Sequence, residues 1–176
     1  MFSGMKINNI VCSGDLNQQV PFERLPELPV DTYKYDPTRY HGAYILLTEG
    51  KATIYKSGKY IIYGLKSLDS VNQSYEEFLA ILSPIVDSAI VTPPAIRNIV
   101  GMDDFHMKIP LSRLVAALQM ENVEYEPEQF PGVIYRGASG TALIFSSGKV
   151  IFAGCKDMHS MEMFSDELRQ IIELLN

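Results

Sequence analysis

Three histidines (His41, His106 and His159), two cysteines (Cys12 and Cys155) and the adjacent acids Asp103-Asp104 are the side chains best equipped for acid–base, nucleophilic or metal chemistry. Their spacing supports none of it. The histidines stand in unrelated contexts, and no Ser-His-Asp, HExxH, P-loop or paired-carboxylate arrangement joins them. Two cysteines are too few for a disulfide framework, and with scattered histidines they offer no zinc spacing. Asp103-Asp104, adjacent acids beside a strand, are expected in a solvated loop. The chain is therefore expected to be no enzyme and to need no metal or cofactor. The residue types that do recur at fixed spacing are Asn, Lys and aromatic residues, which bind rather than react.

The chain has 176 residues, 47% hydrophobic and 20% charged, a globular composition of one domain or two small ones. No apolar run reaches the roughly 18 residues of a membrane span. The first residues lack the basic-then-apolar pattern of a signal peptide, so an intracellular location without membrane contact is expected. Net charge is −6, from 15 Lys+Arg against 21 Asp+Glu. That balance argues against non-specific nucleic-acid affinity, which comes largely from cations displacing phosphate counterions. A basic face can still coexist with an acidic remainder.

The elements that must position these residues are written twice. Asn9-Ile10-Val11 recurs as Asn98-Ile99-Val100, and Pro21-x-x-Arg24-Leu25 as Pro110-x-x-Arg113-Leu114. After one insertion, Tyr35-Asp36-Pro37 answers Tyr125-Glu126-Pro127, and Tyr40-x-Gly42 answers Phe130-x-Gly132. Ser57-Gly58-Lys59 answers Ser147-Gly148-Lys149, and Gly64-x-Lys66 answers Gly154-x-Lys156. Ordered matches with a single register change mark an internal duplication, residues 1–88 and 89–176.

Each repeat reads as β-α-β-β-β-β-α. A strand-like segment (Ile7 to Cys12; Ile96 to Gly101) precedes a proline suited to a first helical turn. Leu111, Leu114, Val115 and Leu118 then recur at helical spacing, whereas Pro26 and Pro29 should shorten or break the first-repeat helix. Tyr-, Ile-, Val- and Phe-rich strands follow at 43–47, 52–55 and 59–63, and at 133–136, 141–145 and 149–153, separated by Gly-containing turns. A longer helix closes each repeat, with Tyr75, Phe78, Leu79 and Leu82 on one stripe and Phe164, Leu168, Ile171, Ile172 and Leu175 on the other. Helices cover one sheet face. Several strands, including Leu143-Ile144-Phe145, are apolar at both parities, so the second face is apolar too. A dimer interface is the plain explanation, and a surface kept for a ligand or partner the sharper one.

Over nearly all 176 residues, duplication included, the chain resembles the TATA-box-binding protein family, with an archaeal cast. The most specific strings are Tyr125-Glu-Pro-Glu-Gln-Phe-Pro-Gly-Val-Ile-Tyr-Arg136 and Thr141-Ala-Leu-Ile-Phe-Ser-Ser-Gly-Lys149. The first repeat is more divergent. The resemblance implies an α+β saddle in which one continuous curved antiparallel sheet lies on the minor groove and the helices cover the convex side. It implies a basal transcription initiation factor that binds and bends A·T-rich promoter DNA, with transcription factor B and RNA polymerase as partners. The implied location is the archaeal cytoplasm, or the nucleus in a eukaryote.

On that resemblance Asn9 and Asn98 match paired asparagines that bond base acceptors, while Val11, Val100, Ile61, Ile151 and Leu143 match apolar contacts. Phe130 and Phe145 match rings that wedge between base steps; Tyr40 and Tyr55 stand at the same positions of the first repeat. A tyrosine there must keep its hydroxyl paired. Lys59, Lys66, Lys149, Lys156 and Arg136 match phosphate contacts, and Leu46 replaces the counterpart of Arg136. Tyr63 and Ala153 stand where threonines are usual. Glu126 and Glu128 match the acids that engage transcription factor B, with Asp36 and Thr38 as their first-repeat counterparts. The rival expectation is a scaffold of the same fold that binds proteins and has weak or lost DNA affinity. A homodimer that buries the apolar face in the absence of DNA is compatible with either.

Overall fold

The computed structural model describes residues 4–118 and 122–176, which form two compact units. One comprises Asn9–Arg97, and the other takes residues 4–8 together with the described part of 98–176. The first strand of each repeat, β1 (Lys6–Asp15) and β6 (Ala95–Asp104), is thus divided between the units near its start.

In the unit of the first repeat, β2 (Tyr33–Lys34), β3 (Ala43–Leu46), β4 (Lys51–Ile54) and β5 (Lys59–Leu65) form an antiparallel meander that ends on β1, in the order β2-β3-β4-β5-β1. In the second, β7 (Val123–Glu124), β8 (Gly132–Gly137), β9 (Gly140–Phe145) and β10 (Lys149–Cys155) repeat it as β6-β10-β9-β8-β7. Helices α1 (Leu68–Leu82) and α3 (Met158–Glu173) close the repeats. Ser67 and Asp157 cap them by accepting the N–H of Ser70 and Ser160.

The expected α+β repeat is present, and the expected difference between its first helices holds. Leu111–Ala117 is an α-helix, α2, while its first-repeat counterpart is a 3₁₀ helix over Phe22–Glu27 with Pro26 inside it. A proline cannot donate to an α-helical ladder, and the tighter turn tolerates it. The strand after that helix, which the turn signals do not locate, is only two residues long in each repeat.

One parity of the longer strands packs under the helices, with Ile10, Cys12, Ile45, Ile54 and Ile62 in one unit and Ile99, Ile144, Val150 and Phe152 in the other, all at 0% exposure. Burial pushes both cysteine thiols up, so neither is a ready nucleophile. Asp103 corrects an expectation. It lies inside β6 on the helix-covered parity, 1% exposed, and not in a solvated loop. Its Oδ2 accepts from Ser165 Oγ at 2.9 Å and from Arg169 at 3.5 Å, so α3 supplies partners for one carboxylate oxygen, while Oδ1 is buried without one among the described residues. The same cross-strand site of the first repeat holds Gly14 opposite Tyr60, against Asp103 opposite Val150. Volume has moved from one strand to its neighbour.

Candidate nucleic-acid interface

The other parity of the strands has no helix over it. In the first repeat it carries Asn9, Val11 and Ser13 on β1, Ile61 and Tyr63 on β5, and Leu46 on β3, all half-buried. In the second it carries Asn98 and Val100 on β6, Ile151 and Ala153 on β10, and Leu143 on β9, also half-buried. The register aligns them, with Ser13 opposite Ile61 and Ile151 opposite Leu143. Sheet pleating alone brings these sequence-distant residues onto one surface in each unit.

The asparagines are the most constrained polar groups there. The β1–β5 register slips between Ile10 and Cys12, and the β10–β6 register between Phe152 and Cys155. At each slip a glycine with positive φ, Gly64 (79°) or Gly154 (75°), aims its N–H across the gap. Gly64 N–H donates to Asn9 Oδ1 at 2.7 Å, and Gly154 N–H donates to Asn98 Oδ1 at 2.7 Å. Because a donor fixes which amide atom is oxygen, both Nδ2 groups are left with no protein acceptor among the described residues. Each repeat therefore holds one amide with its acceptor used and its two N–H donors free.

The aromatic pairs differ between repeats. Phe130 and Phe145 meet edge to face with centroids 5.6 Å apart. Tyr40 and Tyr55 meet at 6.1 Å, and their hydroxyls share a hydrogen bond of 2.6 Å. Each phenol thus satisfies the other. That bond, with burial second, pushes the Tyr55 phenol up to about 12. Tyr44 stacks on Tyr40 at 5.9 Å, and His41 lies 5.3 Å from Tyr55, so the first repeat carries a larger and more polar aromatic cluster. Sequence reasoning missed Tyr44 and His41; their neighbourhood with Tyr40 was the available signal.

The cations fall into two groups. Lys59 is held by Asp15 at 2.8 Å and Arg136 by Glu124 at 2.8 Å, both partly exposed pairs of the kind that open at little cost. Lys66, Lys149 and Lys156 are exposed and have no carboxylate within 4.0 Å among the described residues. Lys66 and Lys156 stand immediately before the caps of α1 and α3. Glu126 and Glu128 are exposed in the turn before β8, whose backbone is closed by Phe130 N–H donating to Glu126 O at 2.9 Å. Among the described residues there is no cluster of metal-ligating side chains, and no helix there is long and apolar enough to cross a membrane.

Two tandem α+β repeats, each with one helix-covered sheet face and one open apolar face bearing an oriented amide, define the class of the molecule. The sequence model described as "Transcription factor TFIID (or TATA-binding protein, TBP)" matches residues 4–85 and 93–175, and the chain belongs to that family. It is 38% identical to TATA-box-binding protein C of Halobacterium salinarum over 165 residues, 90% of this chain and 91% of the relative. It is 31% identical to the TATA-box-binding protein of Archaeoglobus fulgidus, covering 95% and 96%. The solved structure of Methanococcus jannaschii TBP superposes with a TM-score of 0.81 at 27% identity, covering 96% of this chain and 98% of that one.

Proposed function

We propose that this chain is a general transcription initiation factor that reads A·T-rich promoter DNA through the minor groove, bends it, and presents an acidic turn to a transcription factor B-type protein that brings in RNA polymerase. The observation that carries the reading is the oriented asparagine pair. An A·T minor groove offers acceptors only, and the one added donor there belongs to G·C pairs. Two amides whose acceptors are already occupied present donors alone, set among Val11, Val100, Ile61, Ile151 and Leu143, which suit the apolar sugar edges. Phe130 and Phe145 supply rings for insertion at a base step, where unstacking costs roughly a few kcal/mol and is offset by the added contact of bent DNA. Tyr40 and Tyr55 do the same in the first repeat after giving up their mutual bond. Lys59, Lys66, Lys149, Lys156 and Arg136 serve the phosphates, and Glu126 and Glu128 serve the protein partner.

A second reading, a protein-binding scaffold with weak DNA affinity, draws support from the net charge of −6 and from the carboxylates that hold Lys59 and Arg136. Anisotropy with labelled A·T-rich and G·C-rich duplexes over a salt series, with and without transcription factor B, separates the two. Tighter A·T binding is expected. Equal or absent binding to both duplexes, with the partner present, moves the function to scaffolding.

A further inference from the structure

Set in repeat register, one cross-strand row of the open faces carries its cation on different strands in the two repeats. The first repeat has Leu46 on β3, Lys51 on β4 and Tyr63 on β5, with Lys51 paired to both neighbours. The second has Arg136, Thr141 and Ala153 in the same pairing. Directly opposed residues of an antiparallel pair stand about 5 Å apart at Cβ, less than the length of a lysine stem. A cation lost at Leu46 is therefore regained one strand over.

The surroundings of the two cations differ as well. Arg136 Nη1 is 2.8 Å from Glu124 on the adjoining strand. The first-repeat position answering Glu124 is Lys34, so the carboxylate is replaced by a second cation. Glu49, the acid nearest Lys51 in the chain, is turned toward the start of α1, and Glu77 of α1 is bonded to the turn before β4. Glu49 accepts from Lys66 N–H at 2.9 Å and Ser70 Oγ at 3.0 Å, and Glu77 accepts from Thr48 N–H at 3.0 Å. Lys51 is exposed, and no carboxylate lies within 4.0 Å of it among the described residues.

We infer that Lys51 is a phosphate-binding residue of the first repeat, carrying across the strand pair the charge that the second repeat holds at Arg136. The inference rests on the DNA-binding reading and adds a residue to it. Since Lys51 has no ion pair to break, the first repeat grips the DNA backbone here at least as firmly as the second grips it through Arg136, despite the loss at Leu46.

The test is the salt dependence of binding to an A·T-rich duplex over about 50–200 mM salt, where each phosphate contact contributes about 0.9 to the slope of log affinity on log salt. Lys51→Ala is expected to lower that slope by about 0.9, so that the affinity lost over this fourfold range shrinks about threefold. The double variant Leu46→Arg, Lys51→Thr, which copies the second repeat, is expected to restore it. Lys56→Ala, at a lysine lying over the Phe22 ring at 5.7 Å, is expected to leave the slope unchanged. Wild-type binding with an unaltered slope in Lys51→Ala overturns the inference and leaves the DNA reading standing. Equal losses in Lys51→Ala and Lys56→Ala also overturn it, because net charge alone would then explain both. A wild-type protein with no preference for the A·T duplex removes the DNA reading, and this inference falls with it.

Discussion

Replacing Asn9 and Asn98 together by aspartate separates the fold from the proposed site. Aspartate keeps the oxygen that accepts Gly64 N–H and Gly154 N–H at 2.7 Å, so both register slips keep their bond. It removes both Nδ2 donors and substitutes a charged acceptor. Facing a groove of acceptors, each site then leaves a base atom unpaired, a loss of about 1–3 kcal/mol. For the pair that is about 2–6 kcal/mol, or between about 30-fold and 10⁴-fold in affinity. The double alanine variant loses the same donors and also strands the two glycine N–H groups, at about 1 kcal/mol each. In a chain of this size that lowers Tm by about 4–8 °C, whereas the aspartate variant should melt near the wild type. Anisotropy on an A·T-rich duplex and thermal melting of the same preparations read both quantities. Wild-type affinity in the double aspartate variant, with an unchanged Tm, would refute the argument that the free amide donors meet the bases.

Three further outcomes are expected. Phe130→Ala with Phe145→Ala should reduce bending, read by energy transfer across the site, more than Tyr40→Ala with Tyr55→Ala, because the phenols must first give up their 2.6 Å bond to insert; equal losses contradict the asymmetry. Glu126→Arg with Glu128→Arg should spare binary DNA binding and weaken the complex with transcription factor B, and a collapse of DNA affinity would place that turn against the phosphates instead. Gly14→Ala should destabilise by about 1–3 kcal/mol, since its Cβ collides with the Tyr60 phenol. Adding Tyr60→Val, the residue type at Val150, should cost less than the sum of the two single changes; strict additivity in denaturant unfolding argues against a shared volume.

The duplication was legible because its punctuation is local: Pro21 and Pro110, Gly58 and Gly148, and the Ser-Gly-Lys turns keep their order whatever they pack against. Pro26 and Pro29 likewise announced a short or broken helix, which the structure forms as a 3₁₀ segment. What stayed hidden depends on register, which a linear pattern does not carry. Asn9 stood out by recurrence, but its bond to Gly64, 55 positions away, exists only because the β1–β5 pairing slips. Asp103 looked like a solvated acid until strand parity turned it toward α3. Lys51 carries no repeat signal, because its counterpart is Thr141, and only the pairing sets it opposite Leu46. The contact roles proposed for the open-face residues rest on family resemblance together with this geometry, and the variants above are what test them.

The repeats differ most informatively in pairs. Gly14 with Tyr60 answers Asp103 with Val150, and Leu46 with Lys51 answers Arg136 with Thr141. In a sheet the cross-strand pair sets local volume and charge, so one member can change when its partner compensates, and the backbone stays as it was. Two such repeats can keep the same strands and the same oriented asparagine while their side-chain chemistry drifts apart. On the DNA-binding reading that divergence matters, because the ligand is nearly symmetric. A·T and T·A pairs present the same acceptors in the minor groove, so base readout scarcely distinguishes the two directions in which a duplex can lie. The direction must then come from what differs between the repeats: Tyr40 and Tyr55 against Phe130 and Phe145, Lys51 and Lys34 against an Arg136 held by Glu124. Exchanging the Lys51 row for its second-repeat equivalent should therefore preserve affinity while evening out the orientations a duplex adopts, and single-pair energy transfer on an asymmetrically labelled site would show it. An orientation bias unchanged by the exchange would remove this row from what sets the direction and leave it to the aromatic pairs and to Lys34 against Glu124.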